Sequence, residues 1–109
     1  MPPDPDLTTQ ALHAFSRSFG AVPEAAIEQP EQVTLEDVRT FLIDRITDLI
    51  DANPALLMSI LYRVDVAERA VQGVFAEAAP ETIPVHLADL LIERQLQKLE
   101  IRRRYAARR

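Results

Sequence analysis

The chain has no cysteine and no tryptophan, only two glycines, and one lysine among its twelve bases. Without cysteine there is no disulfide, no thiolate metal site and no cysteine nucleophile. Two glycines cannot build a loop that cradles phosphates on successive backbone N–H groups. No apolar run reaches the ~18–20 residues that a membrane span needs. The opening Met-Pro-Pro-Asp-Pro-Asp lacks the basic and apolar regions of a signal peptide, so a soluble, cytoplasmic protein is expected. No segment alternates apolar and polar residues with period two, so no strand is expected. His13 and His86 stand apart and outside any H-E-x-x-H spacing, and Ser16, Ser18 and Ser59 sit in no G-x-S-x-G elbow. No catalytic residue, metal ligand or cofactor site is assigned on these grounds, no small-molecule substrate is evident, and the chain is not expected to be an enzyme.

What the chain does have is apolar residues at helical spacing. Hydrophobic side chains make up 48% of 109 residues, enough to bury roughly two thirds of the unfolded surface. Pro2, Pro3 and Pro5 mark residues 1–6 as a disordered lead. A short helix is expected over 7–19, with Leu7, Leu12, Phe15 and Phe19 on one side and Gly20 just past its end. Residues 20–33, which include Pro23 and Pro30, read as a linker. A helical domain then occupies 34–105, with a frayed basic tail at 106–109.

Within that domain four helices are expected, at about 35–52, 54–63, 66–78 and 84–104. Thr34 with Asp37 can form a capping box. Leu35, Val38, Leu42, Ile46 and Leu49 then keep the helical period, widened by Phe41, Ile43 and Ile50. Asn53 caps the next helix and Pro54 takes its first position, where a missing N–H costs nothing. Leu56, Leu57, Ile60, Leu61 and Val64 give that helix its apolar stripe. Asp65 with Glu68 repeats the capping logic, with Asp65–Arg69 as an i,i+4 pair, and Ala67, Ala70, Val71, Val74, Phe75 and Ala78 form the following stripe. The expected fold is all-α: a compact four-helix bundle with steep crossings, forced by the short connections, plus a short N-terminal helix packed on it or loosely tethered.

Two excluded chemistries follow from charge. Asp37, Asp44, Asp48 and Asp51 share one side of a helix but lack the Glu-x-x-His repeats of di-iron bundles, so they read as a solvated face. Residues 54–78 have helix-turn-helix spacing, yet Glu68 and Glu77 against Arg69 would be repelled by duplex DNA.

The charge is strongly partitioned. Residues 94–109 hold seven bases against Glu100, a net of +6, while residues 1–93 hold five bases against sixteen acids, a net of −11. Cations at a helix C-terminus suit the macrodipole; the same cluster can also dock on an acidic or phosphate-bearing surface. The last helix projects two apolar stripes. Ala88, Leu91, Ile92, Leu96 and Leu99 form the main one; Leu87, Leu90, Ile101 and Tyr105 form a second, interrupted by Arg94 and Lys98. Gln95 lies on the main stripe and, if buried, needs partners for both amide atoms.

Two stretches carry a resemblance: Leu61-Tyr62-Arg63-Val64-Asp65-Val66 with Glu68, and Leu91-Ile92-Glu93-Arg94-Gln95-Leu96-Gln97-Lys98 followed by Arg102 to Tyr105. Over roughly residues 36–105 the chain resembles a set of small bacterial all-helical proteins without assigned activity, in which an L-Y-R-I-D-V turn precedes an I-E-R-Q-L-Q-K final helix. The resemblance implies a helical fold and no catalytic residue.

The function expected from all this is a non-catalytic helical interaction or accessory module. Arg94, Lys98, Ile101, Arg102, Arg103, Arg104, Tyr105, Arg108 and Arg109 would meet a protein partner or a second copy of the chain. The alternative is RNA or another polyanion bound by the same Arg-rich end, where Tyr105 among arginines is a combination used on single strands. A membrane-surface helix is not expected, because Asp89, Glu93 and Glu100 interrupt the basic face it would need.

Overall fold

A computed structural model of the chain describes residues 5–21 and 32–107. Most of the expected lead and linker, and Arg108 and Arg109, lie outside the described residues. The described chain is all-helical: α1 Pro5–Phe19, α2 Leu35–Ala52, α3 Pro54–Val64, α4 Glu68–Glu77 and α5 Ile83–Ala107, with a 3-10 turn at Pro80–Thr82. No strand occurs among the described residues.

The helix ends follow local chemistry. Thr34 Oγ1 accepts from Asp37 N at 3.1 Å and the Asp37 carboxylate accepts from Thr34 N at 2.9 Å, the reciprocal capping box that satisfies two orphan donors at the start of α2. Asn53 serves two helices: its N–H closes α2 on Leu49 O at 2.9 Å, and its Oδ1 accepts from Leu56 N at 3.2 Å to open α3, with Pro54 at the first position. At the end of α1, Gly20 takes φ +65° and Ala21 N reaches back to Ser16 O, the Schellman ending for which glycine is suited.

The same ending closes α3, with aspartate in glycine's place. Asp65 has φ 68° and ψ 40°, its N–H bonds to Tyr62 O at 3.0 Å, and Val66 N bonds to Leu61 O at 3.1 Å. Asp65 therefore terminates α3 instead of capping α4, whose N-cap is Ala67 with no side-chain hydrogen bond. The left-handed turn aims its carboxylate at α5, where it pairs with Arg94 in place of the expected Arg69.

The core is one cluster. α1 gives Leu7, Ala11, Leu12, Phe15 and Phe19; α2 gives Val38, Phe41, Leu42, Ile46 and Leu49; α3 gives Leu57, Ile60, Leu61 and Val64. The N-terminal helix is thus packed, with Phe19 edge-on to Phe41 at 6.3 Å between ring centroids. α5 runs against every other helix, and most extensively against α2. Arg39 and Asp89 clamp that pair at 2.8 Å. The hydrogen bond to Asp89, and then its charge, raises the Arg39 guanidinium above its ordinary value, so Arg39 is fully charged at neutral pH and its own contribution would fade only as pH rises through that elevated value.

α4 departs from its expected pattern. Only Val71 is buried; Ala70, Val74 and Ala78 are half-covered, and Ala67 and Phe75 are exposed, Phe75 at 44%. The apolar period is present, but α4 lies at the margin of the core and few neighbours cover it. No helix of the described residues is long and apolar enough to cross a membrane.

Candidate functional site

α5 is longer than the core it serves. Its last buried side chain is Leu99, and positions 100–107 are all exposed, about 12 Å of helix at 1.5 Å per residue that runs beside the start of α1, where Arg103 and Ala106 share a groove with Leu7 and Gln10. The second apolar stripe divides there. Leu87 is buried and Leu90 packs against the core, whereas Ile101 and Tyr105 are 47% and 68% exposed. These two are i,i+4 neighbours on one helix face, bordered by the exposed Arg102 and Arg104, with Arg103 farther round.

Arg94 and Lys98 have a different position from the one expected. Arg94 Nε donates to Asp65 O at 3.1 Å and its Nη2 to Asp65 Oδ2 at 3.0 Å, while Lys98 Nζ donates to Val64 O at 3.2 Å. Both cations thereby cap the carbonyl end of α3, where the helix dipole is negative. The two sequence motifs, Leu61–Val66 and Leu91–Lys98, meet at this junction through Arg94 and Lys98. Arg94 and Lys98 serve this junction, with Lys98 also lining the groove beside it, and the apolar surface open to a partner starts at Ile101.

Beside this junction is a groove of about 320 Å³ between α1, the end of α3 and α5. Arg17 from α1, Arg63 from α3, and Lys98 and Arg102 from α5 line it, and no carboxylate does among the described residues. Gln10 and Gln95 add two carboxamides. A second groove of about 280 Å³ continues along α1 and α5, sharing Gln10, Leu99 and Arg102 and adding Arg103. The charge arrangement is notable because residues 1–93 hold only five bases. Arg39 and Arg45 face Asp89 and Asp48, while Arg17 and Arg63 converge on a cavity lined by no counter-charge among the described residues.

Gln95 is buried, at 5% exposure, as the helical projection placed it. It makes no hydrogen bond among the described residues, contrary to the expectation for a buried amide, and faces the groove instead of a partner in the core. Arg17 and Arg63 escaped the sequence reading because they lie 46 positions apart and far from the C-terminal cluster. The only signal was their scarcity in an acidic body.

The remaining candidates are dispersed. His13 and His86 are exposed on different helices, as are Asp44, Asp48 and Asp51 along α2. No group of three metal-ligating side chains converges among the described residues. No protein-family model, curated protein or solved structure matches the chain.

Proposed function

We propose that the chain is a non-catalytic helical interaction module of the bacterial cytoplasm, and that its partner is an acidic protein segment seated on the C-terminal end of α5. The observation that carries this reading is the exposed apolar pair, Ile101 and Tyr105 on one helix face past the last core residue. One side of this helix end lies along α1 through Arg102, Arg103 and Ala106, while Ile101 and Tyr105 stay open to solvent, so an aliphatic and an aromatic anchor are left over from what the fold requires. An i,i+4 apolar pair is the minimum that helix-in-groove recognition uses. Tyrosine and arginine are the residue types that dominate binding hot spots. Arg102, Arg103 and Arg104 around the anchors select a partner whose apolar spot is bordered by carboxylates.

The finer architecture belongs to the same proposal. α2 to α5 form the bundle, with steep crossings imposed by the tight connections at Asn53 and Asp65, and α1 is laid across it. The resemblance of the Leu61–Val66 and Leu91–Lys98 stretches to small bacterial helical proteins agrees with a module without catalytic residues.

The test compares the full chain, Tyr105→Ala, and a chain ending at Glu100 in affinity capture from a bacterial lysate, at low and high salt and with or without ribonuclease. The reading is supported if one acidic protein is retained by the full chain and released by both variants and by salt. Capture that ribonuclease abolishes, with log K falling against log salt at a slope of about −4 to −5, would instead assign the Arg-rich end to RNA. A dimer in sedimentation that Tyr105→Ala dissolves would assign the face to a second copy.

A further inference from the structure

We infer that the groove between α1, the end of α3 and α5 is a binding site for a small phosphate monoester whose remainder carries hydroxyl groups. Four cations from three helices line it without an acid among the described residues, in a chain whose net charge is −5. Like charges gathered around one cavity repel each other unless an anion joins them. Capping of α3 accounts for Lys98, through Val64 O, and Arg63 is steadied by Ser59 Oγ at 3.3 Å. Those bonds leave further N–H donors on both groups and hold them in place before a ligand arrives. Arg17 and Arg102 serve no such purpose: neither makes an ion pair or hydrogen bond among the described residues. Guanidinium forks match the geometry of phosphate oxygens.

Gln95 specifies the rest of the ligand. Gln95 is only 5% exposed and makes no hydrogen bond among the described residues, and its amide atoms open onto the groove, where a ligand can meet them in place of water. It presents a donor and an acceptor together, which a hydroxyl, itself donor and acceptor, satisfies. The cavity, about 320 Å³, equals the liquid volume of about ten waters and lies at the small end of ligand sites, about 300–1,000 Å³. A bare phosphate would leave most of it empty; a polyol or sugar phosphate would fill it.

The experiment is an amide NMR titration of the full chain with glycerol 3-phosphate, inorganic phosphate and sulfate at matched ionic strength. Saturable shifts should appear at residues 14–18, 63–64 and 95–102, with glycerol 3-phosphate bound more tightly than inorganic phosphate. Arg17→Gln and Arg102→Gln, both at exposed positions, should each weaken binding about tenfold. Gln95→Leu should erase the preference for glycerol 3-phosphate over inorganic phosphate, and Tyr105→Ala should change nothing, which separates this site from the partner face. Co-sedimentation with phosphatidic acid vesicles that Arg17→Gln abolishes would make a lipid headgroup the source of the phosphate; vesicles left unbound would make the source soluble. Shifts that never saturate, that spread over all arginines, or that survive Arg17→Gln and Arg102→Gln would overturn the site.

Discussion

Asp65 shows how one backbone angle can redirect a side chain's role. Its sequence context, an acid three residues before Glu68, is that of an N-cap, yet φ 68° turns it into the end of α3. Aspartate tolerates that region better than most residues but less well than glycine. Asp65→Ala should lower stability by about 1–2 kcal/mol, from the left-handed backbone and the lost Arg94 pair together. Asp65→Gly should cost less, because the backbone strain is relieved while the carboxylate is lost. Urea midpoints at unchanged m would check both. At the start of α2, Thr34→Ala should cost about 1 kcal/mol, since one capping bond is removed and Asp37 loses its reciprocal partner. Gln95 should matter less: its amide opens onto the groove and can be hydrated there, so Gln95→Leu should change thermal stability by no more than about 0.5 kcal/mol.

Among the helices, α4 and α5 depart from the rest for opposite reasons. α4 buries a single side chain, Val71, and begins on Ala67 without a capping side chain. Its amides should therefore exchange before those of α2 and of the buried part of α5, as elements with few buried contacts do. Val71→Ala should cost about 2 kcal/mol, the transfer of two methyl groups with a small cavity. Gly73 stands inside α4, and nothing lies within 4 Å of where its Cβ would be. Gly73→Ala should stabilise the chain by about 0.5–1 kcal/mol, measurable as a raised melting temperature. α5 instead continues past the last core position with only α1 alongside it, so the Ile101–Tyr105 part of its apolar stripe has no helix to receive it. Periodicity located both stripes correctly, since it fixes which direction a side chain leaves the axis. Whether another helix waits in that direction depends on lengths and placements that no single segment carries.

For the whole molecule, the acidic body and basic end divide structural from surface roles. A chain ending at Glu100 should melt within about 2 °C of the full chain, because every described residue it loses is exposed and surface changes are worth about 0.5 kcal/mol or less. Its retention on heparin at low salt should fall. The helical class, the Thr34 and Asn53 caps, the Gly20 ending and the apolar faces of α1, α2 and, apart from the exposed Leu56, α3 were legible in the residues alone, because each rests on interactions within a few positions along the chain. The reassignment of Asp65, the engagement of Arg94 and Lys98 with the end of α3, the exposure of Phe75, and the meeting of Arg17 with Arg63 and Arg102 were decided only by tertiary packing. Those contacts join helices separated by tens of residues, and their existence depends on how whole helices are set against one another, which local propensity does not encode.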